Sequence, residues 1–360
     1  MKTSDPARLR VLQMLGARQP GGAENFFVRF AAALGAMDGI DVLCAVPQGS
    51  WAAERLTERG VRVSAAGFGG RFDFRTKGQL KRIITDFQPH VAQSWMARAS
   101  WHAPRGIVPV IGRIGGYYDI KYFKGLDHIV VIAPGLIGHV TRQGWPEERV
   151  SLIPNFVAEI TVPMLPARAE IRGRFGIKDT DTALAIFGRL HDNKAIDTAI
   201  MALARLPETF HLVIAGDGPL EGALKALARE NGVAERVHFA GWVNDISPYF
   251  RAADICVMPS RVEAFGSVVL EAWLHEVPVI ASRAGGPLSQ ITDEKDGLFF
   301  SIDDVEALTA QIKRVAGSAQ LAASLVAAGR ETYHRFYAKK RVIEAYLDLY
   351  RRLTDKETAS

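Results

Sequence analysis

Two glutamates, Glu263 and Glu271, lie eight positions apart in the segment SRVEAFGSVVLEAW, residues 260–273. On a continuous helix this spacing spans about 12 Å, which is about the reach of a nucleotide sugar from its hexose to its ribose. One carboxylate can then accept hydrogen bonds from sugar hydroxyls and the other from ribose hydroxyls. Gly266 permits close backbone approach, and the free N–H groups of residues 266–268 at a helix start suit a diphosphate. The segment therefore predicts a nucleotide-sugar site.

The context of the two glutamates makes the prediction specific. The strand-like run DICVMPS precedes them, and VPVIAS and a Gly-Gly pair follow them. In this context the segment resembles the E-x7-E signature of the retaining GT-B glycosyltransferases of family four, the glycosyl transferases group 1. The resemblance covers nearly the whole chain and is strongest over residues 183–300. It implies an α/β protein of GT-B fold, with two Rossmann-like parallel-sheet domains facing each other across a cleft.

The resemblance also implies catalytic roles. The run AIFGRLHDNKAID, residues 185–197, is similar to the family's GRL…K motif and places Arg189 and Lys194 at a strand-to-helix turn. Two cations there would stabilise the charge on a departing nucleoside diphosphate. Glu263 would orient the sugar. In the family's usual front-face mechanism no protein nucleophile is needed, so we expect a hexosyltransferase that uses neither a metal nor another cofactor.

The donor is expected to bind mainly in the second domain. Val243, in GWVNDISPYF, would bond to the base through its backbone, and the Gly-Gly pair in LQMLGARQPGGAENF resembles the family's GG-x-E loop, which approaches the donor phosphate from the first domain. The expected donor-binding residues are Gly21, Gly22, Val243, Phe265, Gly266, Ser267, Val268 and Glu271.

The acceptor is expected to bind mainly in the first domain. The run QSWMARAS, residues 93–100, resembles the W-M-x-x-A stretch of lipopolysaccharide- and capsule-type transferases. The acceptor-side candidates are Trp95, Arg98, Arg113 and Asp119. Core packing explains Trp95 equally well.

Two positions depart from the family pattern. Many relatives carry a histidine after the strand that reads VPVIGRI here, where this chain has Gly115. Phe156 takes the place of the glycine in the IPNG run of many relatives. The missing histidine leaves open a protein that binds a sugar nucleotide without catalysis.

The elements that must position these residues alternate along the chain. Twelve short apolar, β-branched runs are separated by amphipathic helical segments, which predicts parallel sheets covered on both faces. Twelve strands suit two Rossmann-like domains better than one sheet. The proline-containing segment 157–170 predicts the boundary, with an N-terminal domain of residues 1–163 and a C-terminal domain of residues 164–339. The run RETYHRFYAKKRVIEAYLDLYRRL predicts one long helix, and the resemblance implies that residues 340–360 pack back on the first domain.

Composition excludes several classes of protein. The 360 residues are 23% charged and 48% hydrophobic, as in ordinary soluble domains. The absence of an 18-residue apolar run or a signal peptide predicts a cytoplasmic protein. Cys44 and Cys256, each alone in an apolar run, are expected to be buried free thiols, and the histidines lack metal-ligand spacing.

The positive charge is concentrated in the first half. Residues 1–160 hold 20 Lys and Arg against 13 Asp and Glu. The stretch RFDFRTKGQLKR, residues 71–82, mixes basic and aromatic residues, which suits an anionic membrane surface, although a solvated loop and helix face explains it equally well. We expect a glycolipid or glycan acceptor, such as lipopolysaccharide core, and peripheral contact with the inner face of the cytoplasmic membrane. No nucleic-acid-binding module is present.

The sequence is compatible with three other classes of protein. A nucleotide-sugar 2-epimerase can share the two-lobed fold but would need an acid/base set and no acceptor. A nicotinamide oxidoreductase requires the GxGxxG pattern, which the loop at Gly21 lacks. A non-catalytic nucleotide-sugar-binding protein would bind the donor without releasing diphosphate.

Overall fold

A computed structural model describes residues 8–70, 73–158 and 168–358 of the chain. The strands of the first sheet are β1 (Leu9–Leu15), β2 (Ile40–Val46), β3 (Arg62–Ala65), β4 (Val91–Trp95), β5 (Val110–Ile114), β6 (His128–Val131) and β7 (Val150–Leu152). They are all parallel, in the order β3-β2-β1-β4-β5-β6-β7. The helices that follow strands of this sheet are α1 (Gly22–Gly35), α2 (Trp51–Glu58), α3 (Arg75–Phe87), α4 (Met96–His102) and α5 (Pro134–Thr141).

A second parallel sheet follows along the chain. Its strands are β8 (Thr182–Phe187), β9 (Phe210–Ala215), β10 (Val237–Gly241), β11 (Ile255–Met258), β12 (Val279–Ser282) and β13 (Leu298–Phe300), in the order β10-β9-β8-β11-β12-β13. Its helices are α6 (Arg168–Arg174), α7 (Ile196–Leu203), α8 (Glu221–Glu230), α9 (Ser247–Ala252), α10 (Ser267–Leu274), α11 (Gly285–Leu288), α12 (Val305–Ala316) and α13 (Ala319–Thr332). A final helix, α14 (Lys339–Thr358), ends the described chain.

The chain divides into two units, each with its own sheet. The first unit runs to Phe156 and includes the segment from Lys339 onward, and the second unit is Val157–Ala338. The predicted boundary between residues 163 and 164 lies outside the described residues. Each unit buries its own cluster of apolar side chains, as expected when strands are covered by helices on both faces.

Both sheets reverse their strand order next to their first strand. The reversal falls between β1 and β4 in the first unit and between β8 and β11 in the second. Loops that leave the carboxyl ends of two such strands run in opposite directions, which opens a crevice where ligands of open α/β sheets bind. The strand order therefore predicts that a ligand site of the second unit lies at the loops after β8 and β11.

Local sequence explains the starts of three of the described helices. Ser50, Asp304 and Ser318 each accept a hydrogen bond from a backbone N–H in the first turn of α2, α12 and α13 respectively. Such caps satisfy N–H groups that have no acceptor within the helix. Cys44 and Cys256 are buried free thiols, which confirms the expectation, and burial raises the pKa of both.

Two predicted elements are corrected. The short edge strand β13, which spans only Leu298–Phe300, was not among the twelve predicted strands. The predicted single C-terminal helix is two helices, α13 and α14, separated by a π-helical turn over Tyr333–Tyr337 and an extended Ala338. The turn is set by packing, since the Tyr337 ring lies 6.1 Å from the Trp273 ring and 6.3 Å from the Phe265 ring.

Candidate active site

The loop after β8 brings basic side chains to the crevice of the second unit. Gly188 has φ of +144°, and Arg189 next to it is exposed. Among the described residues, the Arg189 side chain has no hydrogen-bond or ion-pair partner. Lys194 ends a short 3-10 turn, and the buried Ala195 that follows is left-handed, with φ of +47°. This loop therefore places both predicted cations at the carboxyl edge of the sheet.

The loop after β11 supplies the carboxylate. Glu263 precedes α10, which begins at Ser267 and continues through Val268 after the left-handed Gly266, with φ of +86°. Glu263 therefore lies outside the helix and only Glu271 lies on it, which corrects the supposition of one continuous helix across both glutamates. Phe265 is buried below this start. The N–H groups of Ser267 and Val268, in the first turn of α10, have no acceptor within the helix and are available to a ligand. The Val269 N–H, in contrast, donates to the Gly266 carbonyl at 3.0 Å.

The two loops meet through one ion pair. The Nζ atom of Lys194 lies 2.5 Å from Oε2 of Glu263, and the two side chains are 26% and 18% exposed. A pair that is only partly exposed is screened less by water than a surface pair. Lys194 and Glu263 thus form a charged pair across the β8–β11 crevice, and both side chains stay partly exposed.

Glycines allow the loops to approach each other at this edge. A Cβ atom on Gly286 would lie 2.5 Å from the Phe265 carbonyl oxygen, and the Gly286 N–H donates to the Glu263 carbonyl at 2.8 Å. A Cβ atom on Gly216, after β9, would lie 1.9 Å from the Gly188 oxygen. No other residue type fits either place without moving backbone.

The remaining donor-side candidates lie on the same edge or on α10. Val243 follows β10 and is half-buried between the exposed Trp242 and Asn244. Glu271 is half-buried on α10. Burial raises the pKa of the Cys256 thiol, and the charge of Glu271 adds to that rise. The structure therefore brings Lys194, Glu263 and the start of α10 together, with Val243 two strands away from β8.

In the first unit, the Gly-Gly loop lies at the equivalent strand reversal. Gly21 precedes α1 and Gly22 begins it. The Glu24 carboxylate folds back over Gly21, where a Cβ atom would lie 2.5 Å from Oε2. Burial raises the pKa of Glu24. The loop is thus shaped by a half-buried carboxyl group at the start of a helix.

Two acceptor-side candidates are corrected by their burial. Trp95 is 0% exposed and donates from Nε1 to Oε1 of Gln13 at 2.7 Å, and Arg113 is 1% exposed. The Arg113 guanidinium lies 4.3 Å from the centre of the Trp95 ring and 4.8 Å from that of Phe26. Buried side chains of this kind cannot touch an acceptor, so Trp95 and Arg113 are core residues.

The other two acceptor-side candidates are exposed. Arg98 donates to the Gly16 carbonyl at 3.3 Å, beside the loop after β1. Asp119 pairs with Lys121 at 2.6 Å, and the hydrogen bond from Lys121 lowers the pKa of Asp119. The sequence did not single out His139 on α5. Its Nε2 atom lies 2.8 Å from the carbonyl oxygen of Tyr118, in the loop after β5. Because His139 belongs to a different element from this loop, the sequence of the loop does not indicate that the two meet.

Sequence reasoning also missed Arg261, which contacts three carboxylates around the Lys194 turn. Its place beside Glu263 was visible in the sequence, but its partners were not. Within the described ranges, no group of three His, Cys, Asp or Glu side chains is arranged to hold a metal ion.

Two Rossmann-like parallel-sheet units, each with its own strand-order reversal, define a protein of the GT-B fold class. A model of the family "Glycosyl transferases group 1" matches residues 167–332. The lipopolysaccharide core biosynthesis glycosyltransferase LpsE of Rhizobium meliloti strain 1021 is 32% identical over 335 residues, which are 91% of this chain and 95% of that protein. LpsD of the same organism is also described as a lipopolysaccharide core biosynthesis glycosyltransferase. It is 31% identical over 338 residues, which are 92% of this chain and 95% of LpsD.

Solved structures agree on the fold. HepE of Anabaena, crystallised with UDP, superposes with a TM-score of 0.82 at 16% identity, covering 96% of this chain and 100% of that chain. The chain belongs to the glycosyl transferases group 1 family, and it is a glycosyltransferase of GT-B fold.

Proposed function

We propose that this chain is a hexosyltransferase that moves a sugar, with retention, from a nucleotide-diphosphate sugar to a glycolipid acceptor such as lipopolysaccharide core. The observation that carries the proposal is the Lys194–Glu263 pair, held at 2.5 Å beside the start of α10 in the β8–β11 crevice. LpsE and LpsD are similar to this chain over more than nine tenths of its length. Their names, which refer to lipopolysaccharide core biosynthesis, support the choice of acceptor.

In the proposed reaction the diphosphate lies over the first turn of α10, where free N–H groups and the helix dipole favour an anion. Arg189 and Lys194 stabilise the charge that develops on the leaving diphosphate. Glu263 bonds to sugar hydroxyls and fixes the orientation of the ring, and Glu271 binds the ribose. The reaction needs no cofactor besides the donor itself.

Retention follows from front-face attack in this proposal. The acceptor hydroxyl oxygen forms its bond to the anomeric carbon on the face from which the diphosphate departs. The bond between that carbon and the phosphate oxygen breaks, and the hydroxyl proton passes to the leaving diphosphate. The protein contributes position and charge, and no covalent sugar–enzyme intermediate forms.

Ligand-induced thermal shift tests the donor site. A panel of nucleoside diphosphates and nucleotide sugars is added to the wild-type chain, to Glu271→Ala and to Glu230→Ala, whose side chain is exposed on α8. Binding raises Tm by mass action, so one base should stabilise the wild type and Glu230→Ala but not Glu271→Ala. A folded sample that no nucleotide stabilises would rule out the proposed donor site.

Diphosphate release distinguishes the reaction classes. With the donor found above, a transferase releases nucleoside diphosphate in proportion to added acceptor. A 2-epimerase would convert the donor with no acceptor present, and a non-catalytic protein would bind the donor and leave it intact. Anomeric analysis of the product by NMR then decides between retention and inversion.

Contact with an anionic membrane is the second part of the proposal. Along α3, Arg75, Lys77, Lys81 and Arg82 are exposed, and Phe74 before them is 79% exposed. Arg71 and Phe72 of the predicted basic stretch lie outside the described residues. Among the helices described, none is both long and apolar enough to cross a bilayer. A basic helix with an exposed aromatic ring suits the surface of anionic lipid.

Vesicle sedimentation tests this surface. Reversal of Arg75, Lys81 and Arg82 to glutamate should abolish binding to vesicles that contain anionic lipid. The control reverses Arg205, Arg229 and Arg251, three exposed arginines of the second unit, and so changes the net charge equally. Equal loss of binding in both variants would show that net charge, not α3, decides the association.

A further inference from the structure

Arg261 is the most extensively paired side chain beside the candidate site. Its guanidinium contacts three carboxylates: Nη2 lies 2.7 Å from Asp197, Nε lies 2.8 Å from Asp303, and Nη1 lies 3.2 Å from Asp192. These carboxylates come from the start of α7, the loop after β13 and the turn after β8. The hydrogen bond with Asp197 is the largest cause that raises the pKa of Arg261. One side chain therefore joins three segments at the carboxyl edge of the second sheet.

The same residue is bonded to the Lys194 turn through its backbone. The Arg261 N–H donates to the Asn193 carbonyl at 2.9 Å, the Val262 N–H reaches the same oxygen at 3.3 Å, and Nη1 donates to the Asp192 carbonyl at 2.9 Å. The two residues before Lys194 are thus bonded to the two residues before Glu263. Ala195, which directly follows Lys194, has a left-handed conformation that is strained for a residue other than glycine.

A turn that contains such a residue keeps its shape only when contacts around it fix that shape. We propose that Arg261 is a positioning residue, which holds the Lys194 turn so that the lysine ammonium meets both Glu263 and the diphosphate of the donor. The inference rests on the proposed function. The guanidinium is needed because its planar fork bonds in several directions at once, which an ammonium group on a flexible stem cannot reproduce.

A double-mutant cycle tests whether Arg261 acts through Lys194. The kcat and donor KM are measured for the wild type, Arg261→Gln, Lys194→Ala and the double variant. The dissociation constant of the nucleoside diphosphate is measured for the same four proteins. This second quantity completes the cycle even if the turnover of one variant is too slow to detect. Arg261→Gln alone should lower kcat by about 10- to 100-fold, because small misplacement of a catalytic group has effects of that size. In the Lys194→Ala background the same change should cost less than about 3-fold, as expected for residues that act as a unit.

Two further variants separate positioning from general stability. Arg261→Lys keeps the charge but loses the fork, so it should recover only part of the lost kcat. Arg314→Gln is the matched control, because Arg314 makes two bonds of 2.8 and 2.9 Å to Glu294 in the same unit, away from the Lys194 turn. It should change neither kcat nor KM.

The outcomes are distinct from failure of the proposed function. If the wild type neither binds a nucleoside diphosphate nor releases one, the proposed function fails. If the wild type is active and Arg261→Gln is equally active, or its loss is the same with and without Lys194, the positioning role is overturned.

Discussion

At the scale of single residues, the candidate site depends on one pair. Lys194 and Glu263 are 69 residues apart in the chain and 2.5 Å apart in the fold. Each side chain limits the conformations of the other, so both are held near where the diphosphate and sugar are proposed to bind. Fixed charges of this kind cost no reorganisation during the reaction, which is why they stabilise transition states effectively.

We expect Lys194→Ala to lower kcat by about 100-fold or more, because one preorganised stabiliser of the leaving group is lost. The measurement is nucleoside diphosphate release at saturating donor. Lys225→Ala serves as the control, since Lys225 makes a 2.6 Å pair with Glu221 on the exposed face of α8. A loss of similar size in both variants would assign the effect to stability, not to the site.

At the scale of elements, the start of α10 packs closely against the start of α11. Gly266 turns the chain into α10, while Gly286 at the start of α11 contacts the backbone of Phe265 and bonds to that of Glu263. The position of the proposed diphosphate cradle therefore depends on a close contact between two helix starts.

Gly286→Ala should destabilise the second unit by about 1–3 kcal/mol, because its Cβ atom must displace backbone. Donor affinity should fall as well, since Glu263 and Phe265 move together. Chemical denaturation and nucleotide titration measure the two effects. Gly222→Ala, at an exposed position of α8 with open space around it, should instead gain up to about 1 kcal/mol.

The neighbouring strands β9 and β10 carry a pair of histidines. Nδ1 of His211 lies 3.1 Å from Nε2 of His238, and the His238 ring packs against Phe175. Burial lowers the pKa of His238 to about 4, and it also lowers the pKa of His211. Both rings therefore stay neutral in the folded protein at pH values where an unfolded chain binds protons.

This arrangement predicts acid sensitivity. An unfolded histidine takes up its proton near pH 6.5, whereas folded His238 does so near 4, so the free energy of unfolding should fall as pH is lowered from 6.5 toward 4. His238→Gln should make that decline shallower. Urea unfolding at intervals between pH 6.5 and 5 measures the slope, and an unchanged slope in the variant would contradict the assignment.

At the scale of the whole molecule, the end of the chain completes the first unit. Helix α14 inserts Tyr346 and Tyr350 into the core beside β1 and β4. The Tyr350 hydroxyl accepts a hydrogen bond from Gln13 at 3.0 Å and donates one to Gln93 at 2.8 Å. The first unit is thus built from both ends of the chain.

Tyr350→Phe should destabilise the first unit by about 1–3 kcal/mol, because two buried amide groups lose their partner. The free energy of unfolding measures this. Tyr117→Phe, at a tyrosine that is 54% exposed, should change the free energy of unfolding by less than about 0.5 kcal/mol. Equal effects in the two variants would mean that the buried network does not contribute.

Patterns within short segments account for what was predictable from the sequence. Alternating apolar runs and amphipathic segments indicated two parallel-sheet domains, and the segment from Glu263 to Glu271 indicated the family, which the comparisons confirm. These features depend on neighbouring residues and on their period, which the sequence displays directly. Retention, the donor and the acceptor stay predictions.

Contacts between residues far apart in the chain depend on the tertiary structure. The partners of Arg261, the pairing of Lys194 with Glu263 and the contact of Gly286 with Phe265 all join segments far apart in the chain. The burial of individual side chains was equally unpredictable from the sequence. A charged arginine such as Arg113 is usually exposed, and only the structure shows that aromatic rings enclose it. The break before α14 has the same origin, because packing of Tyr337 on Trp273 overrides a locally continuous helical pattern. Local patterns determined the elements of this protein, and the packing of those elements determined its site.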